Sequence, residues 1–156
     1  MNLRLQKVCE QDRDLLFQWV NDETCRKNSF HSHLISYEEH CKWFAAKFND
    51  EMCYMYLCCL DDIPIGQIRI ECENGIGCVS YFVDCEYRGR GYGFRMLQLI
   101  EQEMQGKVKE LVAYVKNDNI ASQVVFKKNK YSETQEKDCV KYSKNVLETE
   151  VGRGLG

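Results

Sequence analysis

Val83-Asp84-Cys85-Glu86-Tyr87-Arg88-Gly89-Arg90-Gly91-Tyr92-Gly93 is the stretch that decides the fold. A β-forming run, CVSYFV, ends at Val83 and passes into a short acidic link. Three alternate glycines then carry Arg90 and Tyr92 between them, and an amphipathic segment runs on to Gln105, with Gly106 as its stop. Glycine permits positive φ and a close approach of backbone to ligand. The first N–H groups of a helix have no partner within it and lie at the positive end of the helix dipole. With Arg88 and Arg90 adding charge, residues 88–93 are built to converge on a phosphate or pyrophosphate. A tight turn that needs glycine for geometry alone is the alternative, and the interleaved arginines weigh against it. The pattern is G-x-G-x-G, with Met96 where a further glycine would complete a dinucleotide fingerprint, and no G-K-[ST] follows as in a nucleoside-triphosphate loop.

Outward from this turn, periodicity alternates between strand and helix. Residues 3–8 alternate apolar and polar as a strand does. Asp12 is placed to cap a helix with Leu15, Leu16, Trp19 and Val20 on one face, and residues 21–33 read as a polar loop. Ser36-Tyr37-Glu38-Glu39 fits a capping box, opening a helix to about Phe48. Residues 52–60, 63–72 and 78–83 read as three strands, the last two joined at Asn74-Gly75, a hairpin signal. They make an antiparallel meander. Residues 110–116 form a further strand parallel to 78–83, since a helix intervenes. A last helix spans 119–128 and a last strand 141–146. The fold class is α+β, sandwich-like: a mixed, mostly antiparallel central sheet flanked by helices. Residues 1–146 form one domain and residues 147–156 a loose tail.

The chain has 156 residues, a net charge of -3, ten cysteines and one proline. The charge removes any global electrostatic case for a nucleic-acid partner. No apolar run is long enough for a membrane span, and the N-terminus lacks an apolar signal region. No two of the cysteines (9, 25, 41, 53, 58, 59, 72, 78, 85 and 139) stand three apart, so there is no C-x-x-C redox or zinc pair. They read as reduced, mostly core side chains of a cytoplasmic protein, with no metal site.

Arg88-Gly89-Arg90-Gly91-Tyr92-Gly93 resembles the [QR]-x-x-G-x-[GA] acetyl-CoA signature of the GNAT superfamily of N-acetyltransferases. The order strand, signature helix, strand ELVAYV, then Asn119-Ile120-Ala121-Ser122 opening a helix, is similar over nearly the whole chain. The resemblance implies the GNAT fold and acetyl-CoA as cofactor, with CoA as product. It implies that Gly89, Arg90, Gly91, Tyr92 and Gly93, with Arg88, hold the pyrophosphate. Phe82 and Val83 would pair with the pantetheine arm, the Val83 N–H would polarise the thioester carbonyl, and Asn119, Ser122 and Phe126 would flank the arm. Two departures stand out. Asp84-Cys85 replaces the x-P of V-x-P, and Phe126 stands where many members carry the tyrosine that protonates the thiolate. Tyr131, Tyr92 or water remains to supply that proton, and Glu71, read as flanking the 74–75 turn, to assist deprotonation of an amine through water.

Trp19-x-Asn21, Arg26, Asn28-Ser29, Ile35-Ser36 and Glu39-His40 are similar to a GNAT branch that acetylates amines on nucleotide-linked sugars, of the pseudaminic acid pathway type. The resemblance implies that Trp19, Asn21, Arg26, Asn28, Ser29 and His40 contact the acceptor. The residues alone allow other readings: Trp19 has core spacing, Arg26 is equally a loop charge, and His40 equally makes a local hydrogen bond. The expected reaction is transfer of acetyl to a primary amine, on an amino-sugar nucleotide, by direct attack in a ternary complex. A protein N-terminal acetyltransferase of the ribosomal-protein type and a non-catalytic acyl-CoA-binding regulator are the alternatives. The expected partners are a small-molecule amine on a nucleotide sugar and, in a homodimer, a second copy of the chain. With all thiols reduced, denatured protein prepared without reductant should react with a thiol reagent at ten sites per chain; eight or fewer would show a disulfide.

Overall fold

The structure, a computed structural model, describes residues 2–146; the expected tail at 147–156 lies outside the described residues. Seven strands join in one sheet: β1 (Leu3–Lys7), β2 (Cys53–Leu60), β3 (Ile63–Glu73), β4 (Ile76–Val83), β5 (Glu110–Lys116), β6 (Ser132–Gln135) and β7 (Cys139–Asn145), in the order β1-β2-β3-β4-β5-β7-β6. Every pairing is antiparallel except β4 with β5. The helices are α1 (Arg13–Val20), α2 (Glu23–Asn28), α3 (Tyr37–Phe48), α4 (Tyr92–Met104) and α5 (Ile120–Lys128). The α+β expectation is met, as a mixed seven-stranded sheet flanked by helices.

Local chemistry explains most boundaries. Asn74 and Gly75 both have positive φ, 52° and 81°, as the tight turn between β3 and β4 requires. Ser36 Oγ accepts from the Glu39 N–H at 3.1 Å while Glu39 Oε1 accepts from the Ser36 N–H at 3.0 Å, so the capping box that starts α3 is formed. Asp12 acts differently from its expected cap role: its carboxylate accepts from the Cys9 N–H at 2.8 Å and closes a single turn before α1. Two elements were not legible as such. Helix α2 lies inside the polar stretch 21–33, started by Asp22, whose carboxylate accepts from the Cys25 N–H at 3.1 Å. Strand β6 is exposed along its whole length and carries no apolar alternation. It pairs with β7 through its backbone ladder and a Gln135 side-chain bond to the Cys139 carbonyl, neither of which apolar periodicity reports.

The sheet has a core on each face. On one, Met96, Leu97, Ile100 and Met104 of α4 and Phe126 of α5 pack on Ile68, Ile70, Leu111, Ala113 and Val115. The four α4 residues have no exposed surface, and each contributes about 1.5–3 kcal/mol by burial. On the other, Leu16 and Trp19 of α1 and Phe44 of α3 pack on Met55, Leu57, Cys59 and Phe82. All ten cysteines are free. Cys58 is fully buried and its thiol is pushed up to about 12, mainly by burial and further by the neighbouring Cys59, so it stays protonated and inert.

Strands β4 and β5 part early. Ile76, Gly77 and Cys78 pair with Glu110, Leu111 and Val112, and no pairing follows. Yet β4 continues to Val83 and β5 to Lys116, each held on its outer side, by β3 and by β7. A wedge therefore opens at the carboxyl ends of two parallel strands, where α4 and α5 begin. Gly66 on β3 fixes one wall. A side chain there would collide with the Phe82 carbonyl oxygen and lie 3.3 Å from Val83 Cα, so only glycine lets β3 cross this closely behind the wall. Gly66→Ala should destabilise the fold by about 1–3 kcal/mol, read as a lowered Tm, because the end of β4 must shift. An unchanged Tm would show that the close crossing is not a constraint.

Candidate active site

The wall of the wedge is the end of β4. The Asp84 N–H bonds the Ile65 carbonyl at 2.7 Å, toward β3. Alternation along a strand then turns the N–H groups of Tyr81 and Val83 the other way, into the wedge, where β5 no longer lies. The Val83 carbonyl accepts from Arg88 Nε at 2.8 Å.

The glycine turn follows. Gly89 and Gly91 have φ of 77° and 84°, and a side chain at either would enter open space. They are glycine for their backbone angles, and the space above them stays clear. Gly91 is the N-cap of α4, and the first helical bond runs from the Arg95 N–H to the Gly91 carbonyl at 3.3 Å. The N–H groups of Tyr92, Gly93 and Phe94 thus have no partner within the helix and point into that space. Gly93 has a different reason: a side chain would stand 3.2 Å from the Tyr81 ring. Such a cradle, open and lined by unpaired N–H groups at a helix start, suits an anionic group.

The two arginines of the turn do different work. Arg90 is exposed and lies over the Tyr87 ring at 5.6 Å. Arg88 turns inward instead: it holds the Val83 carbonyl, lies 5.2 Å over the Phe82 ring, and its Nη2 donates to Asp22 at 2.8 Å. Burial pushes the Asp22 carboxyl up, but the Arg88 hydrogen bond, the Cys25 N–H and the guanidinium charge outweigh it and hold the carboxyl below its ordinary range. Arg88 is thereby a tie between β4 and α2, a role that spacing alone does not reveal.

The residues expected to contact an acceptor are mostly committed to the polypeptide itself. Trp19 is buried against Phe82, with ring centroids 5.4 Å apart. Asn21 accepts from the Ile35 N–H and donates to the Ile35 carbonyl, both at 2.8 Å. Arg26 donates to the carbonyls of Val20 and His31 at 2.7 Å and of His33 at 3.2 Å, and to Ser29 Oγ at 3.1 Å. Ser29 Oγ in turn donates to the Cys25 carbonyl at 2.7 Å. His40 is 2% exposed, its Nε2 bonds the Arg13 carbonyl at 2.8 Å, and burial pushes its pKa down. Asn28 closes α2, half-buried. The motif therefore shapes the segment 21–36. That segment is pinned to the far wall of the wedge by Lys116 Nζ, which donates to the carbonyls of Lys27 at 3.0 Å and Ser29 at 3.2 Å.

Three expected positions need correction. Glu71 lies in β3 before the turn, between Cys53 and Cys78 of its neighbours, and its carboxylate is not a free turn group: it is paired with Arg69 at 2.8 Å and Lys47 at 3.4 Å. Tyr131 is 6% exposed and its hydroxyl is enclosed in the core; burial drives the phenol far above its usual range, with the Glu101 charge adding to it. Phe126 is 2% exposed and stacked on Tyr142 at 5.3 Å, a core side chain where the resemblance implied contact with the pantetheine arm. Asn119 caps α5 by accepting from the Ser122 N–H at 3.3 Å. Ser122 Oγ shares a 2.8 Å hydrogen bond with the Tyr81 hydroxyl, a pairing across the wedge that no linear motif displays.

The family described as "Acetyltransferase (GNAT) domain" matches residues 2–132. No curated protein matches the chain in sequence. Solved structures do. One is a spermidine N-acetyltransferase from Vibrio cholerae in complex with CoA and spermine (TM-score 0.83, 11% identity, 92% of this chain and 95% of that one). A second, from Salmonella typhimurium, is an acetyltransferase that modifies the N-terminal serine of 50S ribosomal subunit protein L7/L12 (0.78, 19%, 93% and 95%). A third is the aminoglycoside acetyltransferase AAC(6')-Ib in complex with coenzyme A (0.81, 12%, 99% and 100%). At these identities the likeness is one of fold.

Arg88→Ala should cost roughly 1–3 kcal/mol at neutral pH, because it leaves the Val83 carbonyl without its side-chain donor and Asp22 without its cation. The Asp22 carboxyl is held low in the folded protein, so its contribution is present above the ordinary carboxyl pKa of about 4 and is lost as pH falls through the folded value. The Tm gap between wild type and variant should therefore narrow below about pH 4. A gap that widens in acid would contradict the ion pair.

Proposed function

The chain belongs to the GNAT acetyltransferase family, and on that premise we propose that it transfers the acetyl group of acetyl-CoA to a primary amine by direct attack in a ternary complex. The observation that carries this reading is the cradle at the start of α4, beside a wedge with an unpaired strand edge. The open space over Gly89 and Gly91 and the unpaired N–H groups of Tyr92, Gly93 and Phe94 fit a pyrophosphate. The free edge of β4 at Tyr81 and Val83 fits an extended amide chain such as pantetheine, added like a strand. Acetyl-CoA supplies an activated acyl group as a thioester. Residues of the chain supply the rest: the Val83 N–H faces the position of the thioester oxygen, and the two walls bring acyl group and amine together. Arg88 enters as the tie that holds Val83 in place.

For the acceptor we favour an amino-sugar nucleotide. The segment 21–36 that the Trp19–His40 motif builds stands at the wedge, fixed by Lys116. Beside that anchor Phe30 and Tyr114 are left 54% and 43% exposed, faces on which a sugar or base can stack. A protein α-amine is the second reading, favoured by the likeness to the ribosomal-protein enzyme. Direct attack is preferred to an acetyl-cysteine route because Cys58, Cys59 and Cys139 are buried and no cysteine is paired with a histidine among the described residues.

Gly91→Glu should abolish acetyl-CoA binding in calorimetry, since it places a carboxylate in the cradle and forces a side chain onto a φ of 84°. Unchanged affinity would sink the cradle. Thiol release screened over amino-sugar nucleotides and N-terminal peptides should be fastest with a nucleotide sugar. Preference for a peptide would establish the second reading, and acetyl-CoA binding without turnover on any amine would leave a non-catalytic regulator.

A further inference from the structure

The resemblance leaves the leaving thiolate without its usual proton donor, and the structure removes one of the stand-ins. Phe126 has no hydroxyl and is sealed in the core, and the Tyr131 hydroxyl is enclosed there too. A different phenol stands at the wedge. Tyr81 lies on β4 three residues beyond Cys78, the last residue paired with β5, and two before Val83. Its ring turns to the α4–α5 face and meets the edge of Phe126 at 6.0 Å. Its hydroxyl is 3.6 Å from where a Gly93 side chain would begin, in the first turn of α4. It is also 2.8 Å from Ser122 Oγ, in the first turn of α5. The phenol therefore sits between the first turns of the two helices that flank the wedge, and its hydrogen bond spans the gap that the strands leave open.

We propose that Tyr81 is the proton donor to the departing CoA thiolate, with the Ser122 hydroxyl donating to the Tyr81 oxygen as it gives up its proton. The inference rests on the acetyl-CoA reading above. An arm that runs from the cradle at residues 89–93 back along β4 brings its thioester to Val83, two residues from Tyr81. As the amine nitrogen forms its bond to the acyl carbon, the C–S bond breaks and its electron pair goes to sulfur. The phenol proton moves to sulfur and gives the free thiol. The proton lost by the acylated nitrogen passes through water to the phenolate and restores it, so the chain ends the cycle unchanged. Burial raises the Tyr81 pKa and the Ser122 hydrogen bond lowers it, with burial prevailing, so the phenol keeps its proton at neutral pH while retaining a partner for its anion. Glycine at 93 has a second meaning in this light, since any side chain there would crowd the donor.

The test compares wild type, Tyr81→Phe and Ser122→Ala, with acetyl-CoA as donor and glucosamine at high concentration as the probe amine. Single-turnover thiol release, acetyl-CoA affinity by calorimetry and Tm are read for each. Tyr81→Phe should slow release by about 100-fold, in the range of general acid catalysis, with affinity within twofold of wild type. Ser122→Ala should slow it by a smaller factor, about tenfold. Release within threefold of wild type in Tyr81→Phe overturns the inference, and so does a loss that appears in affinity alone. If Tyr81→Phe does not fold, Ser122→Ala decides: unchanged release overturns the inference and slowed release at unchanged affinity supports it. Failure of wild type to bind acetyl-CoA instead overturns the functional reading on which the inference stands.

Discussion

Three residues of parallel pairing, Ile76–Cys78 against Glu110–Val112, and then none: the rest of the molecule is arranged around that early parting of β4 from β5. Buried or half-buried backbone groups require partners. The parting leaves the wedge edge of β4 without them, and the Val83 carbonyl is met by Arg88 while the Val83 N–H is left facing the gap. A strand edge held open in this way is a template for another extended amide chain. The same parting brings the first turns of α4 and α5 to the mouth, so the positive ends of two helix dipoles converge there.

Keeping the wedge open depends on both layers. Behind β4, glycine at 66 lets β3 press close, and Trp19 packs on Phe82. In front, the α4 stripe Met96, Leu97, Ile100 and Met104 seats the helix so that its first turn meets the end of β4. Arg88 joins the halves through Asp22, and Lys116 fastens the segment after α2 to β5. The polar residues of the N-terminal half thus act chiefly on backbone carbonyls. They determine the shape of the segment 21–36, and Phe30 and Tyr114 stay exposed beside its anchor on β5.

Much of this was legible in the sequence, where a local rule governs. The Asn74-Gly75 turn, the Ser36–Glu39 capping box, the α4 stripe and the glycine turn each depend on neighbours in the chain. Where pairing is distant, the sequence is mute. Helix α2 hides in a polar run because its start, Asp22, is secured by Arg88, sixty-six residues away. Strand β6 has no apolar face to announce it. Arg88 reads as a phosphate ligand until its hydrogen bonds are seen, and Tyr131 as an available phenol until its burial is seen. The Tyr81–Ser122 contact joins residues forty-one apart and has no motif of its own.

Backbone amide exchange, followed by residue with and without acetyl-CoA, tests the central claim most directly. The account predicts strong slowing confined to the N–H groups of Tyr92, Gly93 and Phe94 at the start of α4 and of Tyr81 and Val83 on the open edge of β4. Binding that leaves these amides exchanging at their free rates, or that protects a different edge of the sheet, would contradict it.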